Sequence, residues 1–162
     1  MKYLSSLKEK TDLIRHQFSA LIGKEILGYE LAQIWCEETA VWSEWNDLPV
    51  FLSIDSGELS ISWQKFDELA IEVGRVLPFS LCGSRVRWID NGNIHLDNAI
   101  GRTVESVSLA QGEMTVGGSE MEIWTRLLIH FTGGGSLEIF NALDENGFEL
   151  HTKTIEAGIS CF

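Results

Sequence analysis

Between Trp35 and Asp47 the chain sets three indoles, Trp35, Trp42 and Trp45, among four carboxylates, Glu37, Glu38, Glu44 and Asp47. No core periodicity runs through them. Indole faces attract cations, and carboxylates pair with guanidinium and ammonium groups, so this mixture suits an Arg- or Lys-rich surface. Tryptophan is also a frequent anchor at protein interfaces. The competing reading is that two of the indoles fill space between a sheet and a helix.

Other groups offer less. Asp67-Glu68 and Asp144-Glu145 are paired acids that could flank a cleft, hold a cation or act as acid and base. Solvated turns or helix starts, where the dipole favours acids, explain them more simply. His16, His95, His130 and His151 lie singly. His130 alternates with Ile129 and Phe131, which predicts that it faces solvent or a groove. No Ser-His-Asp set or Gly-x-Ser-x-Gly elbow is present. Gly133-Gly134-Gly135 lacks the lysine of a phosphate loop and reads as a turn between strands. The three cysteines, Cys36, Cys82 and Cys161, are widely spaced and have no zinc-site partners. No enzymatic activity, metal or prosthetic group is expected.

The net charge of −12 is uneven. Residues 1–24 hold Lys2, Lys8, Lys10, Arg15 and Lys24 against Glu9 and Asp12, so the remainder is more acidic than the whole. Such a surface disfavours nucleic acid and anionic lipid and favours a basic partner, although solubility alone also accounts for it. An odd number of cysteines fits a reducing compartment. The first residues lack the apolar run of a secretion signal, and no stretch is long enough to span a membrane. A cytoplasmic location is expected. At 162 residues, with 44% hydrophobic and 22% charged residues, a single domain with its own core is expected.

The elements that position these residues come twice. Ile22-Gly23-Lys24, Ile26 and Leu31-Ala32-Gln33 return as Ile100-Gly101-Arg102, Val104 and Leu109-Ala110-Gln111 at one constant offset. Phe51-Leu52-Ser53-Ile54 returns as Leu128-Ile129-His130-Phe131, and Leu59 and Ile61 as Leu137 and Ile139. Alternation predicts strands at Val50/Leu52/Ile54 and Leu59/Ile61/Trp63, joined by a hairpin turn at Asp55-Ser56-Gly57-Glu58. Each copy reads as a three-strand meander, too small to cover its own apolar face.

The predicted fold is therefore α+β, mostly antiparallel β, with two duplicated meanders in a pseudo-twofold arrangement and an N-terminal amphipathic helix. A sandwich, a barrel and one continuous sheet are all compatible. The single domain, 1–162, divides into a helix at 3–21, repeat one at 22–70, a connector at 71–98, repeat two at 99–150 and a C-terminal strand at 151–162. Residues 34–47 read as a loop or irregular strand. Phe66, Leu69, Ala70, Val73 and Val76-Leu77 predict a short helix ended by Pro78. Asn91-Gly92 predicts a hairpin. Second-copy strands are expected near 102–109, 122–131 and 136–141.

The glycine-led strand, the strand ending in a glycine turn and the Leu-x-Ile step stand here as Ile22-Gly23-Lys24, Ser56-Gly57 and Leu59-Ser60-Ile61. They stand again as Ile100-Gly101-Arg102, Gly133-Gly134-Gly135 and Leu137-Glu138-Ile139. The pattern resembles small bacterial immunity proteins of the polymorphic-toxin type. That resemblance implies a cytoplasmic, non-catalytic protein that binds and blocks one cognate toxin. The basic partner would then meet Trp35, Glu37, Glu38, Trp42, Glu44, Trp45 and Asp47. A small-molecule-binding domain with a pocket between the repeats is the alternative, and an enzyme using Asp67, Glu68, Asp144 or Glu145 is a third.

Overall fold

The N-terminal amphipathic pattern forms helix α1 (Leu7–Phe18) in the computed structural model of the chain, which describes residues 1–55, 57–116 and 118–162. Ser6 caps the helix: its hydroxyl accepts the Glu9 N–H at 3.2 Å and donates to the Glu9 carboxylate at 2.8 Å. The helix is shorter than 3–21. Leu4 is drawn instead into an antiparallel bridge with Leu69, with 2.9 Å hydrogen bonds in both directions. Residues 19–23 turn away, and Gly23, at φ 79°, donates to the Val104 carbonyl. Ile14 and Phe18 enter the core, and so does Lys10.

Two antiparallel sheets follow, as the alternation predicts. The first runs β2 (Val41–Glu44), β1 (Ile26–Cys36), β3 (Val50–Ile54), β4 (Gly57–Gln64), β5 (Glu68–Val73). Strand β6 (Val86–Ile89) takes the other edge of β1, since Gln33 and Ile34 pair with both β2 and β6. The second sheet runs β10 (Asn146–His151), β9 (Ser136–Asn141), β8 (Ser119–Phe131), β7 (Val104–Val116), β11 (Ile159–Ser160). Between the sheets in sequence lies a short helix, α2 (Ile94–Asp97). Tyr29 ties it down, donating to Asp97 at 2.5 Å and accepting the Asn93 N–H. Burial and the Asp97 carboxylate push the Tyr29 hydroxyl up to about 12.

Several segments depart from the sequence reading. The helix expected through Phe66, Leu69, Ala70 and Val73 is strand β5, paired with β4 from Leu59↔Val73 to Gln64↔Glu68. Leu69, Ala70 and Ile71 are all buried, so both faces of this strand are covered and its alternation is hidden. Residues 34–47 are regular in part: 34–36 and 41–44 are strand, while 37–40 and 46–47 are turns. Strand β1 continues to Cys36 and turns into β2. Asn91-Gly92 makes no hairpin: Gly92, at φ 97°, turns the chain from β6 into α2, where Asn93 caps the N–H groups of His95 and Leu96. Strands β7 and β8 run farther than expected. The Asp55-Ser56-Gly57-Glu58 turn does join β3 to β4, but Ser56 itself lies outside the described residues.

The sheets share one core, in which Ile14, Phe18, Ile61, Trp63, Leu127 and Ile139 are fully buried. Two of the places where they meet carry hydrogen-bond networks. At one, Glu25 and Thr103 form an antiparallel bridge. Ile26 N–H donates to the Arg102 carbonyl at 3.0 Å and Val104 N–H to the Lys24 carbonyl at 2.8 Å. At the other, buried Asn146 receives the Trp63 N–H and donates to the Leu48 and Ile61 carbonyls, while the Trp63 indole donates to the Ile139 carbonyl at 2.9 Å. Lys10 adds a third tie. Its ammonium donates to the Asp67 carbonyl and carboxylate and to the Trp124 carbonyl, at 2.8, 3.1 and 2.8 Å.

Candidate functional site

The seven candidate residues fall on the arm that β1 and β2 form beyond the edge of β3, and on the chain leading into β3. Trp35 and Trp42 face each other across the ladder, with ring centroids 5.5 Å apart and nearly edge-on. Residues two apart on a strand share a face, so Gln33, Trp35, Trp42 and Glu44 form one surface. Glu37, Glu38, Glu44 and Asp47 are exposed. All three tryptophans are half-buried. The Trp45 indole donates to Asp47 at 2.8 Å, and its ring lies 5.9 Å from that of Phe79.

What buries the indoles comes from far along the chain. Strand β6 lies beside β1 and lays two arginines on the aromatic pair. Arg85 sits 4.7 Å from the Trp35 ring and 5.5 Å from that of Trp42, and Arg87 sits 4.4 Å from Trp42. The Arg87 guanidinium also donates to Gln33 at 2.8 Å. The chain thus supplies its own cations to Trp35 and Trp42, and the arm exposes these two arginines beside the four carboxylates. The sequence signal for this was the alternation of Arg85, Val86 and Arg87, which places both arginines on one strand face. The Trp35 indole N–H is buried with no acceptor among the described residues.

The paired acids sit in two hairpin turns that touch. Asn141 donates to the Phe66 carbonyl at 2.9 Å, and Phe66 N–H donates to the Asp144 carboxylate at 3.0 Å. Asp67 holds Lys10, and Glu68 accepts from Gln64 at 3.0 Å. Three of the four acids are therefore tied to turn backbone or neighbouring side chains. Asn146, at the end of the second turn, donates its N–H to the Asn46 carbonyl, so the β1–β2 arm and the two turns are contiguous. A groove of about 140 Å³ lies between the two turns and the β7–β8 ladder, lined by Phe66, Glu113, Ile123, Thr125, Leu143 and Asp144.

Three of the histidines, His95, His130 and His151, have side-chain hydrogen bonds within the fold. His130 is largely buried where it lines a shallow groove beside Ser108 and Thr154, bonded to Ser136 at 2.8 Å and Ser108 at 2.9 Å, and burial lowers its pKa although Glu105 opposes this. Glu138, Glu149 and His151 lie close enough to share a cation. Arg126 already grips Glu138 with two hydrogen bonds of 2.6 and 2.9 Å. Burial raises the Glu138 pKa, but Arg126 and His151 outweigh it and hold the carboxyl below its usual range. Among the described residues, no helix is long and apolar enough to cross a membrane. Compared with known protein families, with curated proteins and with solved structures, the chain finds no match.

Proposed function

We propose that this chain is a non-catalytic, acidic binding protein that captures a basic protein partner, in the way an immunity protein blocks its toxin. The observation that carries the reading is the β1–β2 arm. Its Glu37, Glu38, Glu44 and Asp47 carboxylates are exposed, while Trp35 and Trp42 are already faced by Arg85 and Arg87. An acidic rim around a rigid aromatic base suits electrostatic capture of a cationic surface. A net charge of −12 adds long-range attraction and disfavours nucleic acid and anionic membranes. A reducing cytoplasm suits the three free cysteines. The alternative, a small-molecule pocket between the halves, is less well supported: the groove there, about 140 Å³, is well below the size that encloses a typical ligand.

The reading includes an internal duplication with a pseudo-twofold axis. The strand orders β1-β3-β4-β5 and β7-β8-β9-β10 support it. So do matching bulges at Ile26/Gly28 and Val104/Ser106. The reciprocal bonds around Glu25 and Thr103, at matched positions of the two copies, are what an axis through that bridge requires.

The test is kinetic. A basic protein retained from the cells of origin is identified by mass spectrometry, and its association is followed by stopped flow against salt. Replacing Glu37, Glu38 and Glu44 by Gln and Asp47 by Asn is expected to lower the association rate about tenfold at low salt, with thermal unfolding unchanged. An unchanged rate would show that these carboxylates only keep the protein soluble.

A further inference from the structure

The two touching turns carry side chains that turn chemistry does not explain. Lys65, Phe66, Leu143 and Asp144 all have positive φ, at 36°, 33°, 61° and 73°. Glycine or asparagine would hold these positions with less strain, and a bulky residue there costs stability. Yet Phe66 is 64% and Leu143 is 89% exposed. A large apolar side chain that is strained and also wet gains nothing for the fold. Strain of this kind is retained where the surface has a use.

The groove beside them has the composition of a slot for one long cation. Phe66, Ile123 and Leu143 give apolar walls, and Glu113 and Asp144 give carboxylates. Asp144 accepts the Phe66 N–H through Oδ1, and no described residue donates to its second oxygen. No cation among the described residues pairs with Glu113. Thr125 also lines the groove, is 95% buried, and its hydroxyl has no hydrogen-bond partner among the described residues. A Cβ at Gly112 would collide with that hydroxyl, so glycine there leaves it room. A volume of about 140 Å³ admits one side chain rather than a free metabolite. Lysine and arginine combine an aliphatic stem with a charged, donor-rich head, and that is the complement of this lining.

We propose that this groove takes the side chain of a lysine or arginine from the basic partner, with the stem between Phe66 and Leu143 and the head among Glu113, Asp144 and Thr125. The proposal rests on the partner being basic and adds to the arm a second, adjoining anchor point. The backbone bond from Asn146 to Asn46 joins the turn after β9 to the chain that follows the arm.

The test is an amide-resolved NMR titration of the full chain with acetyl-tetra-arginine amide, with the citrulline peptide as uncharged control. Saturable shifts at Phe66, Ile123, Thr125 and Asp144 with arginine but not citrulline are expected. Glu113→Gln combined with Thr125→Val is expected to weaken binding about tenfold with unchanged melting temperature, as loss of charge-assisted contacts implies. Leu143→Gly is expected to weaken binding without lowering the melting temperature, since it removes strain along with the wall. Shifts confined to the arm at 35–47, unaffected by these variants, would overturn the groove and leave the basic-partner reading standing. An absence of shifts anywhere at low salt would overturn both. Groove shifts that depend on protein concentration without peptide would assign the patch to a second copy, which also overturns the proposal.

Discussion

Each sheet is crossed by the segment that leaves its outermost strand, and the two crossings are fastened by different chemistry. Beyond β5, the Ser60 hydroxyl donates to the Gly74 carbonyl at 2.5 Å and accepts the Val76 N–H at 2.9 Å. Beyond β10, the Ser136 hydroxyl accepts the Ile155 N–H at 3.2 Å. A buried serine pins the crossing chain in both. On the first sheet the neighbour is Arg75, which grips Glu30 and Glu58 and lies 4.5 Å from the Phe51 ring, half-exposed and permanently charged. On the second the neighbours are His130, buried between two serines, and Glu138, held by Arg126 and His151. One structural solution can stand beside a solvent-screened guanidinium on one side of a molecule and beside a buried, titratable imidazole on the other.

The largest asymmetry is Trp63, which reaches from β4 into the second sheet and has no indole opposite it in β9. Trp63→Ala is expected to cost about 4 kcal/mol in chemical denaturation, through a large cavity and a lost hydrogen bond. Trp63→Phe is expected to lose about 1 kcal/mol, the share of the indole N–H. Equal losses for the two variants would show that the bond to Ile139, not the volume, joins the sheets.

Arg75→Gln is a smaller test. The guanidinium is 44% exposed, so solvent screens its ion pairs and a loss of about 1 kcal/mol is expected, shrinking in high salt. A salt-independent loss would mean that stacking on Phe51 dominates.

The smallest effect is on pH. Burial lowers the His130 pKa from its ordinary 6.5, so the unfolded chain binds a proton more readily than the folded one. Its contribution is complete above 6.5 and is lost as pH falls through the folded value. The melting temperature is therefore expected to decline between pH 7 and pH 5, and the decline to flatten in His130→Gln. Glu138 acts in the same sense lower down: its depressed pKa means stability lost as pH falls below its ordinary 4.5. Amide exchange that loosens β3 and β4 before β8 and β9 on acidification would reverse the assignment of the titratable side.

Much of this fold was legible because it depends on neighbours in sequence. Val50, Leu52 and Ile54, then Leu59, Ile61 and Trp63, alternate in sequence as strand residues do, and the run from Leu7 to Phe18 carries a helical stripe with a serine before it. The acids of the arm were legible as a cluster, since composition within thirteen residues needs no structure. The rest required contacts between distant residues. Leu69-Ala70-Ile71 is equally apolar as helix or strand, and only the β4 edge and the crossing chain made it a strand. Nothing near Trp35 announces Arg85, because pairing of β6 with β1 brings them together. Nothing near His130 announces Ser108. Lys10 reads as a surface charge until Asp67 and Trp124 surround its ammonium. The sequence by itself determined which residues alternate, where the chain turns and how much negative charge it carries, because those are local or additive properties. Tertiary structure alone decided which cations cover the indoles, which acids remain exposed and which two turns meet to form a groove, because burial and pairing belong to the whole chain.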